Sequence, residues 1–443
     1  MIRQFVVVLI TVFCCMSYAQ QGTASPYSFY GIGSLKFKGT VENRGMGGIG
    51  SYIDSLHFNL RNPASYSGKN LDAAPYNGES RPVKFSVAGT FTNTNLESNS
   101  GAQNVNSSGF DYLALSLPLG KFGAGLGLLP FTSVGYQLQD INPAFDNRVD
   151  FRYQGEGGLN KAFLTLAYAV TDNFSIGINA DYNFGNIENQ AIQFVYNDEG
   201  DLAQFATSQN NRSDLSGLNF NVGAYYIGKI NEKLDWSATA TFAPQSDLTS
   251  KNQRSLSTIV VTDQGGEFVQ NTIDINLAAT NQEETELTLP NRLSFGLGIG
   301  QQSKWFVGAE YVSQNTSVFS NPLLDNTVTN TSFEDASSFA IGGFYVPNYR
   351  SLSSYFKRVT YRAGLRYENT GLVVNQESIN EFGISFGLGL PMGAQTGLFS
   401  ELNFGFEYGQ RGTTNQNLIQ ENFFNLNLSL SLSDRWFQKR KYN

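Results

Sequence analysis

Cysteine is almost absent from this chain of 443 residues. The only two, Cys14 and Cys15, fall in the apolar N-terminal stretch, and His57 is the only histidine. This excludes zinc–thiolate centres, cysteine nucleophiles and histidine-rich metal sites. No cofactor is expected. Charge is sparse at 15 %, and its balance is acidic, with 29 Lys and Arg against 37 Asp and Glu. An acidic balance argues against a nucleic-acid partner. After residue 19 there is no run of apolar residues long enough for a membrane-spanning helix, which needs about 20.

Residues 1–19, "MIRQFVVVLITVFCCMSYA", combine Arg3, an apolar run from Phe5 to Met16 and a small-residue end, Ser17-Tyr18-Ala19. The pattern predicts a secretory signal peptide cut before Gln20. The competing readings are a lone anchor, for which the run is short, and a lipoprotein signal at Cys14 or Cys15, for which Thr11-Val12-Phe13 is wrong.

What is present is glycine (45), phenylalanine (35) and tyrosine (22), with abundant Asn, Ser, Thr and Gln. Many segments alternate with period two. In "FNLNLSLSLS", Phe424, Leu426, Leu428, Leu430 and Leu432 oppose Asn425, Asn427, Ser429, Ser431 and Ser433. "FSIGINADYN", "LSFGLGIG", "WFVGAEY" and "FGISFGLGL" repeat it. A helix would scatter these leucines, whereas a strand gathers them on one face. A soluble β-sandwich also alternates. Here the second face is Gly, Ser, Asn and charged residues, and aromatics cluster at strand ends, as in the girdles of membrane barrels.

The expected fold is therefore all-β: a transmembrane antiparallel β-barrel of about 14 strands. Strand starts are expected near Pro82, Gly109, Phe122, Lys161, Phe174, Leu215, Leu234, Arg292, Trp305, Ser337, Val359, Phe382, Phe399 and Phe424. Turns at Thr171–Asn173, Asn231–Lys233 and Gln301–Lys304 are tight. The polar intervals 186–213, 246–290, 314–335 and 409–422 read as long external loops. The domain reading is a signal peptide over 1–19, a plug or hatch over 20–80 and the barrel over 81–443. A periplasmic tail is the alternative for 20–80.

Within 20–80, Gly45, Gly47 and Gly50 form G-x-G-x-x-G, and Asp72 lies at the distance of a ribose-binding acid. A dinucleotide site also needs a preceding strand and a following helix. Neither is expected here, and Asn62-Pro63 breaks the chain. The glycines read instead as tight turns in a plug. His57, with Asp54 and Ser55 nearby, forms no recognisable triad, so no enzyme is expected.

The order of three features resembles the FadL family of outer-membrane transport proteins for long-chain fatty acids and other hydrophobic compounds. They are "NPASYS" at 62–67, "LTLPNRLSFGLGIGQQSKWFVGAEY" at 287–311, and the run "YRAGLRYENTG", "EFGISFGLGLP", "ELNFGFEYGQRG" and "LNLSLSLSDRWFQKRK" in the final third. The last is similar to the Bacteroidota branch. One departure is that Trp436 and Phe437 precede the C-terminus instead of ending it. The resemblance implies a 14-stranded plugged barrel and release of ligand sideways at a kink in the third strand. Gly123, Gly125, Gly127 and Pro130 are the candidates for that lateral gate, with a lumen face left bare by the glycines and a ladder broken by proline. A plain strand end at Pro130 is the alternative.

Period two places Asp181, Glu310, Arg362, Arg366, Glu368, Glu401 and Glu407 on the inner wall. Arg362 and Arg366 are candidates for binding a ligand carboxylate, or for structural pairing with nearby glutamates. The expected partners are outer-membrane lipid, a hydrophobic small-molecule ligand and, in a second reading, other outer-membrane proteins. The functional readings are passive uptake of hydrophobic molecules across the outer membrane of a Gram-negative bacterium, a non-transporting barrel subunit of a secretion or assembly complex, or a surface receptor.

Overall fold

The computed structural model describes residues 22–54, 57–67, 82–142, 149–197, 199, 201–262, 266–319, 330–392 and 400–434. The signal segment 1–19, Ser55, Asp72, Trp436 and Phe437 lie outside the described residues. Among the described residues no helix is long and apolar enough to cross a membrane, and the chain crosses with strands.

A two-residue strand, β1 (Ser34–Leu35), precedes the wall. The wall then runs β2 (Val83–Ser98), β3 (Gly101–Leu119), β4 (Phe122–Pro130), β5 (Thr132–Asn142), β6 (Val149–Ala169), β7 (Phe174–Val195), β8 (Phe205–Lys229), β9 (Asp235–Ala243) and β10 (Ser246–Val261). It continues through β11 (Glu267–Asp274), β12 (Glu284–Leu289), β13 (Arg292–Gln301), β14 (Trp305–Gln314), β15 (Thr331–Phe333), β16 (Ala336–Tyr345), β17 (Thr360–Val374), β18 (Glu377–Met392), β19 (Ser400–Arg411) and β20 (Gln420–Asp434). The pieces β4 and β5, β9 and β10, β11 to β13, and β15 and β16 each join into one bent strand. The result is a closed antiparallel barrel of 14 strands. Closure is made by β2 on β20, in register from Val83↔Asp434 to Glu97↔Gln420.

Alternation decides the two faces. Phe295, Leu297, Phe386 and Tyr408 point outward and are more than half exposed. Glu310, Arg362, Glu401 and Asn403 point inward and are buried. Aromatic pairs mark both margins of the apolar band: Phe122–Tyr168 and Tyr226–Trp236 at the tight-turn end, Tyr182–Phe184 towards the other.

The polar intervals 186–213 and 246–290 are not mainly loops. β7 has 22 residues and β8 has 25, about twice the 9–11 that a membrane crossing needs. Above the apolar band both strand faces meet water or the barrel interior, so the outward apolar signal disappears while the ladder continues. That is why the expected starts of β3, β6 and β8 fall eight to twelve residues late, at Gly109, Lys161 and Leu215, whereas Phe122, Phe174 and Trp305 are on register. In the same region the inner face turns apolar: Leu159, Ile187, Leu215, Leu248 and Leu287 form a buried cluster with Ile32.

Candidate functional site

Residues 22–67, as far as they are described, lie against the inward face of the wall. Thr40 caps a single helical turn, Val41–Arg44, through a reciprocal pair with Asn43. This turn and the glycine stretch after it bring four cations against wall carboxylates. Lys38 pairs with Glu368 (3.3 Å) and with Glu381. Arg44 pairs with Asp111 (3.2 Å) and donates to Asn427 Oδ1 (2.8 Å). Arg61 pairs with Glu310, which also accepts from Gly50 N–H (2.5 Å). His57 Nδ1 lies 2.6 Å from Asp54 Oδ2, and its Nε2 is 3.2 Å from Glu401 Oε1. Burial disfavours the imidazolium, but the Asp54 and Glu401 carboxylates outweigh it and push His57 up to about 10.

The inner-wall charges named from the alternation complete these contacts. Arg362 donates to Glu401 (2.9 Å) and Asn403 (2.8 Å). Arg366 meets Glu368 (2.9 Å), Glu381 (2.7 Å) and Glu407 (2.6 Å). Asp181 pairs with Lys161 (3.0 Å). Arg362 and Arg366 are thus brought to the segment's contact face and carry carboxylate partners already.

The inward glycines of the strands are the seats of the segment. A methyl group on Gly364 would lie 2.2 Å from Gly47 N, and one on Gly342 2.1 Å from Met46 O. Gly177 and Gly223 make the same room for Pro63 and Asn62. Asn62 accepts from Ala64 N–H (3.0 Å) and donates to Ala224 O (3.0 Å). Of the three fingerprint glycines only Gly47 has a positive φ, +74°. Gly45 packs on Gly387 and Arg362, and Gly50 on Glu310. The lumen face of β4 is not bare, as its glycines suggested. Tyr66 fills it, so that methyl groups on Gly123 and Gly125 would lie 1.9 Å and 2.0 Å from Tyr66 atoms, while one on Gly127 would lie 2.2 Å from Leu113 O and 2.7 Å from the Phe163 ring.

The wall strand does break just after Pro130. β3 pairs with β4 from Leu113↔Leu128 to Leu119↔Phe122, and among the described residues no pairing joins β3 to β5. Phe131 N–H turns to Leu159 O (2.7 Å), and opposite it Gly157 and Gly158 take positive φ. β5 keeps β6 on one side. It also gains β1, with Leu35↔Thr132 and Ser34↔Ser133, extended by Lys36 N–H to Phe131 O (3.0 Å). A piece of the N-terminal segment therefore stands beside the lapse in the ladder.

Two cavities flank the segment. One, of about 300 Å³, lies beside this break and is lined by Leu35, Phe131 and Phe163 together with charged groups such as Lys161, Asp181 and Arg292. The other, of about 500 Å³, opens among the tight turns and is lined by Tyr52, His57, Trp236, Phe306, Arg358 and Glu401. Among the described residues no group of three His, Cys, Asp or Glu is placed to hold a metal.

Sequence reasoning missed Lys38, Arg44, Arg61 and Glu381, which carry much of the charge network. The Thr40-x-x-Asn43 cap was a usable signal for the helical turn. The wall partners of the N-terminal cations were not, because they depend on register between segments hundreds of residues apart.

A sequence profile of the BamG family matches residues 1–443. The chain belongs to the BamG family. No curated protein matches it. Among solved structures, this BamG-family chain is similar to a monoaromatic hydrocarbon channel, CymD, at 14 % identity and a TM-score of 0.53, covering 91 % of this chain and 100 % of that one. It is also similar to the Ralstonia pickettii toluene transporter TbuX (14 %, TM-score 0.52, 91 % and 100 %). A third is a Pseudomonas aeruginosa FadL homologue (12 %, TM-score 0.54, 91 % and 99 %). At these identities the likeness establishes a FadL-type outer-membrane barrel fold.

Proposed function

We propose that this chain sits in the outer membrane of a Gram-negative bacterium, exported by a cleaved signal peptide, and takes up hydrophobic small molecules passively. The observation that carries this reading is the lapse in the ladder between β3 and β5 beside a cavity whose lining includes Leu35, Phe131 and Phe163. A closed ladder would seal the lumen from the bilayer, since unpaired backbone is not tolerated facing lipid. Where the lapse faces a cavity and only β1 stands beside it, an apolar ligand has a sideways exit. In this reading residues 20–80 act as the hatch and the Pro130 break is the lateral gate. Gly123, Gly125 and Gly127 give Tyr66 its seat at that gate. Arg362 and Arg366 hold the hatch instead of the ligand. Long-chain fatty acids and monoaromatic hydrocarbons, the latter named for the similar channels, are the ligand classes to test first.

A second reading, a barrel subunit of a larger outer-membrane complex, is favoured by one observation. At the tight-turn end the connection between β16 and β17 is long and internally bonded, with Asn348 N–H to Lys357 O at 2.7 Å, and it presents Leu352 fully and Phe356 for about three quarters of its surface to solvent. Exposed large apolar side chains on an ordered loop suit a protein partner.

Purification from native membranes in mild detergent, with mass analysis of bound small molecules and co-purifying proteins, separates the two. A bound hydrophobic ligand supports uptake. A stoichiometric protein assembly with no lumen ligand would sink it.

A further inference from the structure

The cavity at the tight-turn end has features that sideways uptake does not use. Its wall is aromatic: the Tyr52 ring lies 4.9 Å from Phe306 and 4.7 Å from Phe344. Three polar atoms on its lining have no hydrogen-bond partner. His57 Nε2 faces Glu401 in an ion pair at 3.2 Å, and the other two are Glu42 Oε2, on a residue only 4 % exposed, and Arg358 Nε. Glu42 Oε1 is taken by Asn403 Nδ2 (2.8 Å) and Ser431 Oγ (3.0 Å). Arg358 has no ion pair among the described residues, and its guanidinium rests 5.3 Å from the Tyr355 ring. The neighbouring cations are committed, Arg362 and His57 both to Glu401.

Buried polar atoms without partners are uncommon and costly. A guanidinium beside an aromatic-walled space of about 500 Å³ has the size and chemistry of a small-molecule site. A planar carboxylate matches the guanidinium fork. A flat ring can lie against the face that Tyr52, Phe306 and Phe344 present to the cavity, through edge and offset contacts. A hydroxyl or amino group at the far end would donate to Glu42 Oε2.

We propose that this cavity is a ligand site in its own right, separate from the one beside β5, and that it takes an aromatic molecule bearing a carboxylate, with the carboxylate on Arg358 and the ring packed against Tyr52 and Phe306. The proposal does not depend on uptake through the gate.

The reporter is built in. Of three tryptophans, Trp236 and Trp305 line this cavity. The probe is 4-bromobenzoate, titrated into the full-length protein in detergent, with tryptophan emission as the readout. Saturable quenching is expected. The neutral isostere 4-bromobenzamide should bind about tenfold more weakly, the worth of one charge-assisted contact. Arg358→Gln should weaken bromobenzoate by a similar factor, and Arg350→Gln, an exposed neighbour on the same connection, should leave it unchanged. Heat-modifiable gel mobility checks that each variant is folded. The acid-against-amide comparison needs no variant, so a misfolded Arg358→Gln does not blunt the test. No saturable quenching, equal binding of acid and amide, or full affinity in folded Arg358→Gln would each overturn the proposal.

Discussion

Against β14 and β16–β20 the N-terminal segment is held by charge as well as by shape; against β4–β8 it is held by shape. On the first side Lys38, Arg61 and His57 meet Glu368, Glu381, Glu310 and Glu401. On the second, Tyr66, Pro63 and Asn62 fit over Gly123, Gly125, Gly177 and Gly223, and β1 pairs two residues of β5. Buried ion pairs are costly to break because each leaves a charge uncompensated. Apolar and steric contacts can be made and remade at smaller cost. In the proposed reading the charged side is the fixed attachment and the side beside the lapse in the ladder is the part that gives way. The difference also explains why the arginines of β17 are poor candidates for ligand binding: their donors are already used.

The contrast can be broken from either side. The largest effect is expected for Arg366→Met, which leaves Glu407 without a cation and takes one partner from Glu368 and Glu381, which keep Lys38. The variant should lose about 3–5 kcal/mol, read as a lowered unfolding midpoint in detergent. Gly364→Ala places a methyl group 2.2 Å from backbone that cannot move aside. About 3 kcal/mol should be lost, with faster proteolysis of the N-terminal segment. His57→Gln tests the charged side by pH. Because the folded-state value is raised to about 10 from 6.5, the stabilisation is complete below pH 6.5 and disappears as pH rises through 10. Wild type should exceed the variant by about 2 kcal/mol at pH 6, and the two midpoints should converge above pH 10. Gly125→Ala, on the shape side, meets the Tyr66 ring, a side chain and not backbone. A loss of only about 1 kcal/mol is expected, with the Gly364→Ala result as its reference.

Much of this was legible in the chain. Period-two alternation gave the barrel and the inward charges, because each is a local property of a strand crossing lipid; the breakpoint at Pro130 came from the family resemblance and from proline's missing N–H. The upper halves of β7 and β8 were illegible, since a ladder outside the apolar band has no outward apolar face to mark it. The inward glycines could be assigned to the lumen but not explained. What they make room for, Met46, Gly47, Pro63 and Tyr66, lies far away in sequence. The pairing of Lys38 with Glu381 needs the same long-range register.

The chain's lack of cysteine outside Cys14 and Cys15 permits a direct test of the central claim, that the segment yields beside β5 and stays fixed elsewhere. Two tethers serve. Ser34→Cys with Ser133→Cys joins ladder partners at the break. Val41→Cys with Gly405→Cys joins the helical turn to β19, where a methyl group on Gly405 would lie 3.3 Å from Val41 Cγ1. Uptake of a hydrophobic probe into cells or liposomes is then measured before and after reduction. The account predicts that the first tether blocks uptake reversibly and the second leaves it intact. Full uptake with the first tether oxidised would contradict it.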